Sequence, residues 1–389
     1  MKNMSVINIA VLITLIGLVM IAYGVNRNSD TSLNSSPENL LFNKESVEVL
    51  PSITGNSDYS PNEVPDQSTA ITNDDLSKFM DTTDSWIQER TGVKQRRWAK
   101  PKSGNTASQM GVKAAKIAIK NSGKKKSEID FIIFATLSPD YYFPGPGVLV
   151  QQMLDLDTIG ALDVRNQCSG FIYAISVADQ YIKTGKYKNI LVIGSEYQSY
   201  GIDKSTRGRT ISVIFGDGAG AAVLTRENNK NKGVLSTHLH SEGKYAKELS
   251  CLAPGFGTRW VSDIINENDP NDESYLPYMN GQLVFKNAVV RFQEVIKEGL
   301  DHNKLSNDDI DLFIPHQANL RISQFIQKKL GLNDNKVYNN IMRYGNTTAA
   351  SIPIALSEAI AEGKLKSNDL LVLAAFGAGF TWGSAIIRW

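Results

Sequence analysis

Glu128-Ile129-Asp130-Phe131-Ile132-Ile133-Phe134 is an acidic turn followed by a short apolar run, and Asp309-Ile310-Asp311-Leu312-Phe313-Ile314 repeats it in the later part of the chain. A second pair of apolar runs, at 189–193 and 369–373, recurs at nearly the same spacing. Between the two runs of each copy lies one helical stretch rich in small and apolar residues. Matches in the same order at a nearly constant spacing indicate an internal duplication. The sequence therefore predicts an α/β fold built from two related halves.

The chain length agrees with this division. A chain of 389 residues is too long for one small domain, and it accommodates two units of roughly 150–180 residues each. Strand-like and helix-like segments alternate through both units, which is typical of α/β folds. We place the first half at 47–227 and the second half at 228–389. Within the first half, the pattern predicts one helix at 73–84, a strand at 211–215 and a tight turn at 216–220.

The N-terminus has a different composition. Residues 3–26 carry no charge and are rich in Ile, Leu and Val, and about 20 such residues suffice to span a bilayer. Residues 1–26 are therefore a hydrophobic anchor or signal segment, with 5–25 as the membrane tether, unless the chain truly starts later. Lys2 and Arg27 flank the segment almost symmetrically, so the positive-inside rule gives no orientation. Residues 27–46 read as a polar linker.

Composition excludes some classes of function. The chain has 41 basic and 40 acidic residues, a net charge of +1, so no strong overall field attracts nucleic acid. Its two cysteines, Cys168 and Cys251, form neither a disulfide framework nor a metal site. We expect no metal and no redox cofactor.

Three polar residues fall at the ends of strands or the starts of helices. Cys168, in Asn166-Gln167-Cys168-Ser169-Gly170, opens the helical stretch of the first half. Asn346, in Gly345-Asn346-Thr347, opens the matching stretch of the second half, and His316 follows an apolar strand. Strand ends are where open α/β sheets place their chemistry. Because the spacing from Cys168 to Asn346 is close to that of the apolar runs, we expect them at equivalent helix N-termini brought together by a pseudo-twofold axis.

A thiol, an imidazole and a carboxamide can together carry an acyl group as a thioester and stabilise an enolate. A helix N-terminus lowers the pKa of a cysteine thiol from about 8.5 into roughly the 3.5–7.5 range, and we expect this at Cys168. Taken singly, each residue has a plainer interpretation: a packing cysteine, a structural histidine and a helix cap. Cys251 has no comparable polar partners in the sequence pattern, and we interpret it as structural.

With these residues in view, the chain resembles the β-ketoacyl-[acyl-carrier-protein] synthase III family, which has the thiolase-like fold. Six ordered motifs between about residue 53 and the C-terminus carry the resemblance. They are TDSWIQERTG at 83–92, CSGF at 168–171, FGDGAGAA at 215–222, PHQANLRI at 315–322, GNTTAAS at 345–351 and FTWGS at 380–384. The resemblance implies a five-layered αβαβα homodimer with a cytoplasmic catalytic domain.

The resemblance also implies roles for particular residues. The catalytic set is Cys168, His316 and Asn346, and the backbone N–H groups of Cys168 and Ala378 form the oxyanion hole. Coenzyme A contacts fall at Trp86, Arg90, Arg209 and Arg321. Positions tied to docking of the acidic carrier protein are Lys286, Gln317, Ala318, Asn319, Leu320, Arg321, Lys328 and Lys329. Phe143 and Gln167 belong to the acyl pocket, with Phe143 reaching the partner subunit.

Three features depart from the family pattern. The hydrophobic N-terminus is unusual, Gln167 stands where Ala is common, and Ala378 occupies a common Gly position. The reaction implied is a decarboxylating Claisen condensation of an acyl-CoA with malonyl-acyl carrier protein through an acyl-cysteine, in fatty acid or related lipid and polyketide biosynthesis. Two alternatives stay open: a head-to-head acyl condensing or secondary-metabolite acyltransferase of the same fold, and a vestigial, membrane-tethered binding protein. The length and branching of the acyl primer are open too.

Overall fold

The computed structural model describes residues 50–54, 70–100, 105–229, 231–253 and 272–389. The predicted hydrophobic segment at 1–26, its tether at 5–25 and the linker at 27–46 lie outside these ranges. In the part of the chain that is described, no helix has both the length and the apolar character needed to cross a bilayer. The described residues all belong to one compact unit, Glu48–Trp389.

The strands of this unit run along the whole of its length. They are β1 (Leu50–Thr54), β2 (Ala70–Thr72), β3 (Gln95–Arg97), β4 (Phe131–Ala135), β5 (Gly160–Val164), β6 (Asn189–Glu196), β7 (Gly218–Glu227), β8 (Gly233–Ser241), β9 (Leu249–Ser250), β10 (Tyr278–Met279), β11 (Leu312–Pro315), β12 (Leu370–Gly377) and β13 (Thr381–Arg388).

Helices alternate with these strands. They are α1 (Asn73–Leu76), α2 (Asp84–Thr91), α3 (Ala107–Asn121), α4 (Pro146–Met153), α5 (Gly170–Lys183), α6 (Arg209–Ser212), α7 (Gly281–His302), α8 (Leu320–Leu330), α9 (Ile341–Tyr344) and α10 (Ser351–Ala361). Two short 3-10 turns, Gln167–Ser169 and Thr348–Ala350, lead directly into α5 and α10.

Two mixed sheets carry the fold, and they share their strand order. The first sheet runs β1-β7-β6-β4-β5 and the second runs β8-β13-β12-β11. In each sheet two neighbouring strands are parallel (β4 with β6, β11 with β12), and the following strands (β7 and β13) pair antiparallel. The spacing between the first residues of β4 and β11 equals the spacing between the first residues of β6 and β12. This correspondence supports the duplication predicted from the sequence.

The apolar side chains form three main layers of packing. Helices α5 and α10 lie between the two sheets, because their buried residues share one cluster with inward-facing residues of both sheets. Helices α3 and α4 cover the outer face of the first sheet, and α7 and α8 cover the outer face of the second. In β4, Ile133 faces the centre and Ile132 faces the outside, as the period of two in a strand dictates. The order of layers is therefore αβαβα.

Three local predictions were wrong. The tight turn predicted at 216–220 does not form as such, because residues 218–220 are the start of β7. The helix predicted at 73–84 is two helices, because Thr72 caps α1 and Thr83 accepts the N–H of Trp86 to cap α2. The strand predicted at 211–215 is instead α6 and a loop. That loop pairs with the second half of the chain: the N–H of Asn346 donates to the Ile214 carbonyl at 2.8 Å. A long-range contact of this kind leaves no signal in local sequence.

Candidate active site

Cys168 lies in the middle of the 3-10 turn that opens α5. The turn starts at Gln167, whose φ of 44° is in the left-handed region that non-glycine residues seldom occupy. The Cys168 side chain is buried, with 7% of its surface exposed. Ser169 fixes the turn, since its hydroxyl is 2.7 Å from that of Thr381 at the start of β13. The nucleophile predicted from the sequence is thus held by contacts from both halves of the chain.

The turn between β12 and β13 packs directly against this cysteine. A Cβ atom at Gly377 would lie 2.5 Å from the Cβ of Cys168 and 3.1 Å from its sulfur, so only glycine fits. The next residue, Ala378, directs its backbone N–H at the sulfur, as does Cys168 itself. Ala378 has no positive φ, so the alanine at this common glycine position costs the turn nothing. The two N–H groups predicted for an oxyanion hole therefore converge on the sulfur.

The prediction of a lowered thiol pKa was wrong. Burial, together with the negative charge of Glu196, raises the pKa of Cys168 to about 12, and the two N–H groups offset this only in part. The physical reason is desolvation: a closed, apolar site penalises the thiolate more than a helix start stabilises it. The ground state of this site is therefore a thiol.

His316 follows β11 and is buried. Its Nδ1 atom is 2.6 Å from the hydroxyl of Ser351, the first residue of α10. Its Nε2 atom has no hydrogen-bond partner among the described residues. Desolvation lowers the pKa of His316 to about 3, so the ring is neutral near pH 7. When Ser351 donates to Nδ1, the proton of the neutral ring resides on Nε2, which is then available as a donor.

Asn346 is buried where the two halves meet. Its backbone pairs with the loop after α6, because the N–H of Gly216 donates to its carbonyl at 3.0 Å. Its side-chain oxygen accepts the N–H of Thr348 at 2.8 Å. With the oxygen occupied, the side-chain NH₂ is the group left to act as a donor.

The two 3-10 turns meet face to face, as the pseudo-twofold argument predicts. A Cβ at Gly170 would lie 3.5 Å from the Cβ of Ala349. The register differs from the prediction, however. The helix starts Gly170 and Ser351 have the same spacing as the strands, so the counterpart of Cys168 is Ala349 and not Asn346. Asn346 stands earlier, in the segment that approaches the turn.

The residues predicted to contact coenzyme A gather at one place on the surface. The guanidinium of Arg90 lies 4.5 Å from the ring centre of Trp86, and that of Arg209 lies 5.1 Å from it. The side chain of Asn319 donates to the Arg90 carbonyl at 2.9 Å, which brings exposed Arg321 to the same region. Cations stacked on an indole can bind the phosphates and the flat base of a nucleotide.

The predicted carrier-docking residues divide into two groups. Lys286 on α7 and Lys328 and Lys329 on α8 are exposed, and the two helices pack together. Gln317 is buried instead, with 2% exposure, and its amide bonds the Pro315 carbonyl and the N–H of Asn340. The structure therefore places Gln317 inside the protein, away from any docking surface. The three residues that follow Gln317 are partly exposed: Ala318, Asn319 and Leu320.

The two residues predicted for the acyl pocket lie in different environments. Phe143 is 80% exposed, beside exposed Tyr141 and Tyr142. Gln167 is half-buried next to the nucleophile.

Sequence reasoning missed two polar residues beside these groups, Ser351 and Glu196. Ser351 is the last residue of the 345–351 motif, and its short distance in sequence from Asn346 could have identified it. Glu196 ends an apolar strand, which is the kind of position where His316 was found. Among the described residues, no group of three or more His, Cys, Asp or Glu side chains can hold a metal ion.

Comparison with known proteins gives consistent results. Residues 162–243 match the family model for 3-oxoacyl-[acyl-carrier-protein] synthase III, and residues 300–389 match the model for its C-terminal part. The chain is 41% identical over 322 residues to beta-ketoacyl-[acyl-carrier-protein] synthase III of Clostridium tetani, covering 82% of this chain and 94% of the relative. It is 43% identical over 336 residues to the enzyme of that name from Shigella flexneri, covering 86% and 98%.

Solved structures agree. The 3-oxoacyl-[acyl-carrier-protein] synthase III of Aquifex aeolicus superposes with a TM-score of 0.76 at 40% identity, over 88% of this chain and all of that one. The priming beta-ketosynthase from the R1128 polyketide pathway gives a TM-score of 0.76 at 28% identity, over 87% and 96%.

Proposed function

The chain belongs to the β-ketoacyl-[acyl-carrier-protein] synthase III family, and from this premise we propose that it condenses an acyl-CoA with malonyl-acyl carrier protein. The observation that carries the proposal for this chain's own residues is the convergence at Cys168. Two backbone N–H groups point at its sulfur. The second 3-10 turn packs against Gly170, just after Cys168. This turn follows Asn346 and leads into Ser351, which is hydrogen-bonded to His316. The reaction needs no metal or redox cofactor, because a thioester supplies the activated carbon.

In the first half-reaction, the Cys168 sulfur attacks the thioester carbonyl of acyl-CoA. The N–H groups of Cys168 and Ala378 hold the oxyanion, and each such donor is worth about 2.7–4 kcal/mol in related systems. The C–S bond to coenzyme A breaks, and coenzyme A takes up the thiol proton as it leaves. Acyl-cysteine is the product. Trp86, Arg90, Arg209 and Arg321 are the proposed contacts for the coenzyme.

In the second half-reaction, malonyl-acyl carrier protein enters the same site. Its thioester oxygen accepts hydrogen bonds from His316 Nε2 and the Asn346 amide. Loss of CO₂ leaves the electron pair on an enolate, which these neutral donors stabilise. The enolate carbon attacks the acyl-cysteine carbonyl, a C–C bond forms, and the sulfur leaves as a thiolate that regains a proton.

The carrier protein is expected to dock on the basic side chains of α7 and α8. Lys286, Lys328 and Lys329 are exposed there, and a positive surface favours an acidic partner mainly through the association rate.

We also propose a homodimer through the aromatic surface around Phe143, since exposed large side chains in one patch mark interaction sites.

Catalysis in the cytoplasm is part of the proposal, and 5–25 is proposed as a membrane tether from its sequence alone; fractionation of the full chain and a truncation at Arg27 test this.

Mass spectrometry tests the proposed chemistry. The full chain is incubated with a panel of straight and branched acyl-CoAs, and the mass increase is mapped to a peptide. We expect an adduct on Cys168 with at least one acyl-CoA, and none on Cys251 or in Cys168→Ala. An unmodified Cys168 with every acyl-CoA would contradict the proposal. The preferred acyl group identifies the primer.

A further inference from the structure

Glu196 is the last residue of β6 and is fully buried. Its carboxyl group accepts hydrogen bonds from neutral donors at the end of β4. The Ser138 hydroxyl donates at 2.6 Å, the Thr136 hydroxyl at 3.1 Å and the Leu137 N–H at 3.2 Å. A buried carboxyl satisfied by neutral donors is costly to ionise, and nothing in the proposed reaction steps uses it.

The internal duplication shows why this residue lies near the nucleophile. At the spacing that relates β6 to β12, the counterpart of Glu196 is Gly377, the glycine that packs on Cys168. Glu196 correspondingly lies against the other 3-10 turn, with the N–H of Ala349 3.5 Å from its oxygen. That turn in turn contacts Gly170, which closely follows the nucleophile. The carboxyl group therefore lies beside the second 3-10 turn, which packs against the start of α5 just after Cys168.

The electrostatics match this placement. Burial raises the pKa of Glu196 to about 7 against the opposing effect of its hydrogen bonds. The charge of Glu196 is in turn a cause of the raised pKa of Cys168. A negative charge on either Glu196 or Cys168 disfavours a negative charge on the other, so their titrations are coupled.

We propose, on the basis of the proposed condensing function, that Glu196 is a positioning residue that controls the nucleophile: its ionised form keeps Cys168 as a thiol, and its protonated form permits the thiolate. Ionisation of Glu196 thereby opposes premature reaction of the sulfur. Protonation of the same group stabilises the thiolate that condensation expels.

Other titratable groups around β6 are held by partners of their own. Asp217, before β7, accepts from Ser199 and from the N–H of Ala99. Tyr173 on α5 donates to the carbonyl of His240, and Lys113 on α3 donates to Asn105. Tyr197 follows Glu196 directly in the chain, and His316, after β11, is neutral near pH 7.

The test is the pH profile of Cys168 alkylation by iodoacetamide, measured in the full chain with Cys251→Ser as background. Glu196→Gln removes the charge. Below about pH 6, where Glu196 is protonated, the variant and the parent should react at the same rate. Above about pH 8 the variant should react on the order of tenfold faster, which corresponds to one pKa unit on the thiol. Ser138→Ala removes one donor that stabilises the ionised Glu196 carboxyl. In this variant, the midpoint of the change in alkylation rate that accompanies ionisation of Glu196 should lie at higher pH than in the parent.

Asp217→Asn is the matched control, a buried carboxyl beside β7, and its rate relative to the parent should not change with pH. A Glu196→Gln rate ratio that is the same at every pH, or below one in alkaline solution, overturns the proposal. If Glu196→Gln melts below the assay temperature, the midpoint shift of Ser138→Ala decides, and no shift overturns the proposal. Alkylation requires no acyl-CoA, so this outcome is independent of the acyl-adduct experiment that tests the function.

Discussion

The two 3-10 turns, Gln167–Ser169 and Thr348–Ala350, have similar backbone conformations but different side chains. Each begins with a residue in the left-handed region, at φ 44° for Gln167 and 50° for Thr348. Each leads into a largely buried helix between the sheets. A strained backbone persists only where its surroundings impose it, and here the duplicated surroundings impose it twice.

The side chains at equivalent positions differ in each case. The first turn has Cys168 where the second has Ala349, and α5 starts with Gly170 where α10 starts with Ser351. One half thus carries Cys168, the proposed nucleophile. The other carries His316 and Asn346, the proposed donors, and Ser351, whose hydroxyl is 2.6 Å from Nδ1 of the histidine. The duplication therefore provides a symmetric frame, and divergence of a few residues divides the chemistry between its halves.

The largest effect is expected when the first turn is made like the second. Cys168→Ala should abolish the acyl adduct and reduce condensation on the order of 10⁶-fold, as removal of other activated nucleophiles does. Decarboxylation of malonyl-acyl carrier protein should persist, since His316 and Asn346 are intact. Rates of CO₂ release and of product formation, measured on the same sample, check this.

The double variant Cys168→Ala with Ala349→Cys moves the thiol to the equivalent position. We expect no recovery of acylation, because Glu196 lies behind that turn where Gly377 lies behind the first. Recovered acylation would show that the frame alone suffices and that the surrounding side chains do not divide the chemistry.

The next largest effect concerns the donors of the second half. His316→Ala and Asn346→Ala should each slow decarboxylation about 10²–10³-fold, the usual effect of losing one donor to an oxyanion. Acylation of Cys168 should change little, because its N–H donors remain. Acyl-adduct formation and CO₂ release, measured separately, distinguish the two steps. Equal losses in both would mean that each half serves both steps.

The role of His316 can also be tested through pH, because protonation of the ring removes the neutral donor. Burial lowers its pKa to about 3, so the neutral donor is present at all higher pH values and is lost only as pH falls through that value. Decarboxylation should therefore show no inflection near 6.5, the ordinary pKa of histidine. An inflection there that disappears in His316→Gln would contradict the burial of this ring.

Much of this frame was predictable from sequence. The repeated apolar runs became β4, β11, β6 and β12, and the six motifs identified the family that the comparisons confirm. Strands and amphipathic helices leave periodic signals, so their existence was within reach. The predicted halves at 47–227 and 228–389 remain a prediction, although the two sheets draw their strands from 50–227 and 233–388.

What escaped prediction depends on burial and on long-range contact. The raised pKa of Cys168 results from desolvation, which no motif encodes. Gln317 belongs to a motif that reaches the surface at Arg321, and only its bonds to distant Asn340 and to Pro315 show that it is internal. The loop after α6 has the apolar sequence of a strand. Its conformation depends on pairing with Asn346, which is far along the chain from Ile214.

A smaller effect is expected when the end of β12 is changed. In Gly377→Ala the new methyl group would lie 2.5 Å from the Cβ of Cys168, and overpacking of this kind typically costs about 1–3 kcal/mol. Gly201→Ala is the matched control, since a Cβ there meets nothing within 4 Å. Unfolding in urea should show a loss of stability for the first and almost none for the second. Equal stability of the two variants would mean that the β12 turn is not packed on the nucleophile.

The smallest effect is expected at Ser351, which differs from its counterpart Gly170 by one hydroxyl-bearing side chain. That hydroxyl, 2.6 Å from Nδ1 of His316, selects the ring tautomer with the proton on Nε2. A hydrogen bond of this type contributes about 0.5–1.5 kcal/mol, so Ser351→Ala should slow decarboxylation by a factor of about 2 to 13 and leave acylation unchanged. Ser351→Thr keeps the hydroxyl and should recover most of the rate. Nitrogen NMR of the ring should show Nε2 losing part of its proton in Ser351→Ala alone. If the tautomer is unchanged while the rate falls, the serine acts through packing, and the asymmetry between the two helix starts is steric.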